Sequence, residues 1–405
     1  MKIHPTTSVV GHWRSGLALL LAGAATATLL VACGGGGDAP AASGSATAQS
    51  FTAGPISGLG SIIVNGVRFD DSTARVESAD DSDSHTSREL KLGMMVEVEA
   101  SAIDDSTARA TAAVVRFGSE IVGPVAAADS AAQTIRVLDQ TIEIKPNTVF
   151  DDSLAGGFAA LTVGRVVEIH ALFDASTGHY VATRIEDKTG ALAYRLRGRI
   201  SALDTTAKTF KIGDAVINYG NVAAADLPAL ADGQRVRVRL QTTQVNGQWL
   251  ALSVRSGLRR VEDRADARVR GLVTAFTSPQ RFFVQGIEVD ATNATFEPNA
   301  AAVHLGAIVS VRGAASNGVI VATRVKVLTG DEDEGMNVEL HGELSALDTT
   351  AKTFMLREVK IDYSQVTQFK DGTLADLANG RKVEVKGAWS ADHSVLVAAI
   401  VEFES

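Results

Sequence analysis

The chain has 405 residues, a formal net charge of −9 and one cysteine, Cys33. That length is too great for one small domain, and a single cysteine excludes an internal disulfide. Hydrophobic residues make up 45% but aromatics only 5%, which favours several small cores of Val, Ile and Ala over one core built on large rings.

The first element is a leader. Lys2 and Arg14 form a positive start, and residues 15–32 are apolar or small. The run is short and rich in Ala, Gly and Thr, so it is predicted to be a secretory signal segment and not a spanning helix. It closes on Leu30-Val31-Ala32-Cys33. This tetrad resembles the lipobox of bacterial lipoproteins. The resemblance implies removal of residues 1–32 and lipidation of Cys33, with more than one acyl chain, as stable anchoring requires. The competing reading is a buried or free cysteine behind an ordinary signal peptide. Gly34, not Asp, follows Cys33, which by the same resemblance points to the outer membrane, facing the periplasm or the cell surface. Loss of Lys2 and Arg14 takes the net charge from −9 to −11. Residues 33–53, rich in Gly, Ala, Ser and Thr, are predicted to be a flexible tether.

Internal repetition follows. Residues 201–210 and 345–354 are identical, 144 positions apart, which is twice 72. Gly54, Gly123, Gly198, Gly271 and Gly342 open comparable segments at spacings of 69, 75, 73 and 71, and Gly93, Gly164, Gly233, Gly306 and Gly380 each precede a strand-like run. The period suits a small domain and is too long for a solenoid repeat. Five units are predicted: 54–118, 119–190, 194–256, 267–327 and 338–405, with linkers at 257–266 and 328–337.

The third unit serves as the pattern. Strands are predicted at Arg197–Leu203, Thr209–Ile212, Ala215–Tyr219, around Arg235–Leu240 and at Trp249–Arg255. Asp204 to Lys208 and Gly213-Asp214 form the first two turns. The corresponding second-turn dipeptides are Asn65-Gly66, Asp139-Gln140, Gln285-Gly286 and Arg357-Glu358. The Ala/Leu/Asp-rich stretch Val222 to Leu230 is predicted to hold a short helix. Arg235 to Leu240 alternates strictly, as a strand with one buried face does. Three strands, a short helix and two strands give an all-β chain of five tandem five-stranded OB-like barrels, with a flat sheet or sandwich as the alternative.

The Gly-x-Ile/Leu-Ser-Ala-Leu-Asp opening, the Thr-Phe step and the Asp/Asn-Gly-x-x-Val-x-Val run resemble an exported bacterial family catalogued only as a domain of unknown function, family 5666. The likeness is clearest in units three and five; units one, two and four depart at the opening. It implies architecture and export, and no activity. The charged linkers suggest beads with some freedom to move.

Motifs that carry chemistry are few. No nucleophile elbow or phosphate loop is present, and no histidine pair has zinc spacing, so neither a metal nor another cofactor is expected. His170 and His179 are placed to meet across a hairpin, or to be unrelated surface imidazoles. Asp80, Asp81, Asp83 and His85 share one loop and Asp331 to Glu334 another, but neither fits a calcium loop.

Charge is segregated. Residues 51–190 hold 11 Lys/Arg against 21 Asp/Glu, residues 194–270 hold 14 against 7, and residues 271–405 hold 11 against 18. Unit three is a basic bead in an acidic chain. Arg195, Arg197 and Arg199 alternate along its first strand, and Arg235, Arg237 and Arg239 along its fourth. Neighbouring strands would place all six on one face, a candidate site for an anionic glycan or lipid headgroup. The competing reading is a solvated face paired with acidic neighbours from other units. Nucleic acid is not expected as a partner, because aromatics are few and the chain is exported. The sequence therefore points to a non-enzymatic envelope lipoprotein, held in the membrane by lipid on Cys33 and presenting modules to a protein, glycan or lipid. A plain spacer is the alternative, and an enzyme assembled only in three dimensions is the third.

Overall fold

The computed structural model describes residues 49–81, 83–154, 156–257, 261–328, 338–357, 359–390 and 394–404. Cys33, the leader, most of the tether and the acidic run 331–334 lie outside them. Among the described residues no helix is long and apolar enough to cross a membrane.

The described chain is all-β. In each unit the first strand pairs with the second, the second with the third, the third with the fifth in parallel, the fifth with the fourth, and the fourth returns to the first. In unit three these strands are Tyr194–Asp204, Thr209–Ile212, Ala215–Asn218, Arg235–Val245 and Gln248–Ser256, closed by five pairings. The same circuit closes unit one, unit two, unit four and unit five. Closure pairs every strand of each circuit with two neighbours and so limits the edges left open.

Both glycine series have one physical origin. The N–H of Gly93, Gly164, Gly233, Gly306 and Gly380 donates to the carbonyl of Ile56, Val125, Ile200, Val273 and Leu344, each two residues beyond an opening glycine. These five donors all have positive φ, from 78° to 88°, a conformation that favours glycine. The opening glycine admits the second hairpin across the first strand. A Cβ on Gly198 would lie 2.2 Å from Ile212 Cγ2, and one on Gly123 2.6 Å from Leu138 Cγ. In the first turn, Asp204 Oδ1 accepts from the N–H groups of Thr206 and Ala207, both at 2.8 Å. Asp348 does the same for Thr350 and Ala351.

Three expectations change. Among the described residues, the connection between strands three and four holds one 3-10 turn, or two in unit two, and no α-helix. In units one, two, four and five it also forms a short strand parallel to the fifth. The segment is too short to repay helix nucleation, and its apolar residues are used to plug the barrel: Leu90, Leu92, Leu154, Leu161 and Val303 are all buried. The second turn of unit two is Leu138-Asp139, one residue earlier than predicted, with φ of 48° and 59°; Leu138 is buried and draws the turn inward. Finally, strands begin sooner than the proposed boundaries. Ser50–Leu59 starts inside the expected tether, and Arg264–Ser278 starts inside the expected linker 257–266, where Val261 is already in a core.

The units are not loose beads. The described residues form one compact unit. Ser50 to Ala53 pairs in parallel with Asp266 to Val269, joining units one and four. Gly58-Leu59 pairs with Glu339-Leu340, joining one and five, and Ile121-Val122 pairs with Arg195-Leu196, joining two and three. The cores of one and five run together, as do those of two and three.

Candidate binding cleft and the charged joints

The six arginines share one face, with Arg195 opposite Arg239, Arg197 opposite Arg237 and Arg199 opposite Arg235. Like charges directly opposite one another repel, so the face requires counter-charge, and other units supply it. Asp80 of unit one, its side chain only 4% exposed, lies 2.8 Å from Arg195, 2.9 Å from Arg197 and 3.4 Å from Arg237. Glu120 pairs with Arg235 at 2.9 Å, and Glu168 of unit two with Arg195 at 3.3 Å. Arg199 donates to the Gly233 carbonyl and lies over the Phe283 ring of unit four. Burial alone would lower the Arg197 pKa; the Glu120 and Asp80 charges outweigh it and raise it. Arg239 alone of the six is exposed. The predicted anion-binding face is thus a joint whose anions are the chain's own carboxylates.

The remaining sequence candidates are likewise occupied. Asp81 and Glu89 bracket His85, each at 2.7 Å, so this acidic loop is spent on an imidazole and on the arginine joint. His170 and His179 do not meet, because the register places His170 opposite Arg184 and His179 opposite Asp174. His170 is buried and its Nδ1 accepts the Met95 N–H of unit one. His179 pairs with Glu143.

A second charged joint, between units one and five, has no sequence signature. His341 is 7% exposed. Its Nε2 lies 2.9 Å from Glu339 and 3.3 Å from Glu384, and its Nδ1 2.5 Å from Glu404. Carboxylates at both ring nitrogens call for two N–H donors, the imidazolium form. Burial alone would lower the His341 pKa; the bonds to Glu339 and Glu404 outweigh it and raise it. Glu339, in spite of burial, is held at about 2 by His341, Lys386 and Arg68. Arg68 of unit one bonds Glu339, and Lys386 lies 2.8 Å from Glu384. Glu339, His341 and Glu384 are close enough to share a cation. With Arg68, Lys386 and an imidazolium present, however, three carboxylates are already balanced by three cations.

Where units one, two and five meet, a cleft of about 1070 Å³ opens, at the upper end of small-molecule sites. Buried Ile62, Leu90, Leu92, Val149 and Leu154 line it. Asp71 and Arg88 come from unit one, Phe150 and Asp152 from unit two, Lys360 and Trp389 from unit five. Trp389 keeps its indole N–H out of solvent with no acceptor among the described residues, a cost of about 1–3 kcal/mol. The cleft escaped sequence reasoning because each unit contributes only part of its wall.

A family model described as a domain of unknown function (DUF5666) matches residues 52–112, 122–186, 270–326 and 341–402. The matched repeats are units one, two, four and five. Unit three, one of the two expected to be clearest, is outside these matches and is also the unit without the extra short strand between strands three and four. No curated protein matches the chain.

Proposed function

From the premise that this chain belongs to the DUF5666 family, we propose that it is an envelope lipoprotein, anchored through lipid on Cys33 and probing its surroundings with one fused body of five OB-like barrels. Its role is non-enzymatic binding, with the cleft between units one, two and five as the ligand site. The observation that carries this reading is the cleft itself, a cavity of ligand size built jointly by three repeats. The lipobox-like run ending at Cys33 supports the anchor and, with Gly34 behind it, an outer-membrane position. The spacer reading finds no support in repeats that interlock out of sequence order. The arginine face is not carried forward as an anion site, since its charges are met from within.

Two measurements test the proposal in cells. Labelled palmitate is expected in the membrane-bound chain and absent from a Cys33→Ser form; label retained without Cys33 would refute the anchor. A photo-crosslinking residue at Lys360, in the cleft, is expected to capture a ligand that the same residue at exposed Lys211 does not. Equal capture at both positions, or none, would refute the cleft as the binding site.

A further inference from the structure

We infer that the cleft takes a neutral saccharide chain, an assignment that rests on the cleft being a ligand site. Its charged walls nearly cancel: Arg88, Lys91, Arg184, Arg357 and Lys360 against Asp70, Asp71, Asp151 and Asp152. A balanced field selects neither an anion nor a cation. An extended peptide normally adds to a free sheet edge, and where units one and five meet, the strand edges at Gly58-Leu59 and Glu339-Leu340 are already paired with each other. A lipid chain seeks an enclosed apolar channel, whereas exposed Arg88, Asp152 and Lys360 line this open cleft.

A sugar ring matches what remains. Its C–H face packs on aromatic rings, here Phe150 of unit two and Trp389 of unit five. Its hydroxyls both donate and accept, so guanidinium and carboxylate groups serve it equally. Arg88 and Asp152 make no ion pair with described residues and are open to such bonds. The pairing of an apolar floor with a few convergent polar groups is the usual build of a small-ligand site.

The test uses the full chain with Trp13→Phe and Trp249→Phe, which leaves Trp389 as the sole indole. An array of neutral oligosaccharides, including N-acetylglucosamine and glucose oligomers, is titrated while Trp389 emission is followed. A saturable change is expected with at least one family of oligomer. Arg88→Gln and Asp152→Asn, both exposed and safe for folding, are expected to weaken that binding roughly tenfold each, the loss of one charge-assisted hydrogen bond. Phosphatidylglycerol vesicles and a tetrapeptide library are titrated in parallel. A response to vesicles or peptides alone would overturn the saccharide assignment and leave the cleft a ligand site. No response to any probe would overturn both. Saccharide binding unmoved by Arg88→Gln and Asp152→Asn would place the sugar elsewhere and overturn the assignment.

Discussion

Unit one is fastened to unit three and to unit five by buried charge, but the two joints differ in kind. At the first, Asp80 faces Arg195, Arg197 and Arg237, and arginine stays charged at any physiological pH. At the second, Arg68 of unit one reaches Glu339 and Glu384 of unit five, and those carboxylates share their balance with His341 beside them, an imidazole that can lose its proton. Similar numbers of ion pairs therefore give one joint that ignores pH and one that answers to it. Counting salt bridges would miss the distinction, because it lies in which partner carries a removable proton.

The largest effect should come from breaking the permanent joint. Asp80→Ala leaves three guanidinium groups without their shared carboxylate, and loss of one partner of a buried pair costs about 3–5 kcal/mol. Denaturant unfolding reads this directly; a loss below about 1 kcal/mol would show that water screens the joint. Next is the backbone of the titrating joint. Gly60 has φ of 133°, and a Cβ there would lie 2.6 Å from the His341 Cβ. Gly60→Ala is expected to cost about 2 kcal/mol by the same measurement, through overpacking and strain together; an unchanged midpoint would mean that units one and five do not approach so closely.

The pH comparison is smaller and sharper. The His341 pKa is raised on folding, so its contribution is complete below the unfolded value of about 6.5 and is lost as pH rises through the higher folded value. Stability of the full chain is expected to fall across that window, and His341→Gln to flatten the fall while costing about 1 kcal/mol at pH 6. A slope identical in both proteins would remove His341 as the titrating group. Smallest of all is Arg239→Gln. Arg239 is exposed, so the change should stay within about 0.5 kcal/mol, in contrast to its five engaged neighbours on the same face. A larger loss would show that Arg239 has a partner of its own.

Much of each barrel was legible in the sequence, because its signals are local. The Asp204 and Asp348 turns, the alternation of Arg235 to Leu240 and the two glycine series all act within one repeat. The expected helix failed where local composition competed with packing: Leu90, Leu154 and Leu161 were needed inside the barrel, and the connection bent to deliver them. The joints were illegible for another reason. Asp80 looks like any residue of a solvated acidic loop, and nothing nearby in the chain points to Arg197, 117 residues away. The arginine stripe is visible in the sequence, and so is the alternative of pairing with acidic neighbours from other units, but which carboxylates would meet it is not. His341 gave no signal at all, since Glu404 stands 63 residues from it.

The central claim is that the repeats form one body, without which no shared cleft exists. The two tryptophans outside the leader test it, because Trp249 reports on unit three and Trp389 on unit five. Urea unfolding would be followed in two forms of the full chain, both carrying Trp13→Phe, one with Trp249→Phe and the other with Trp389→Phe, and each corrected by far-UV circular dichroism of the same form. Coincident emission and dichroism transitions in both forms are the expected result. Units that melt apart, with Trp249 and Trp389 reporting separate midpoints, would contradict the fused body and return the molecule to independent beads.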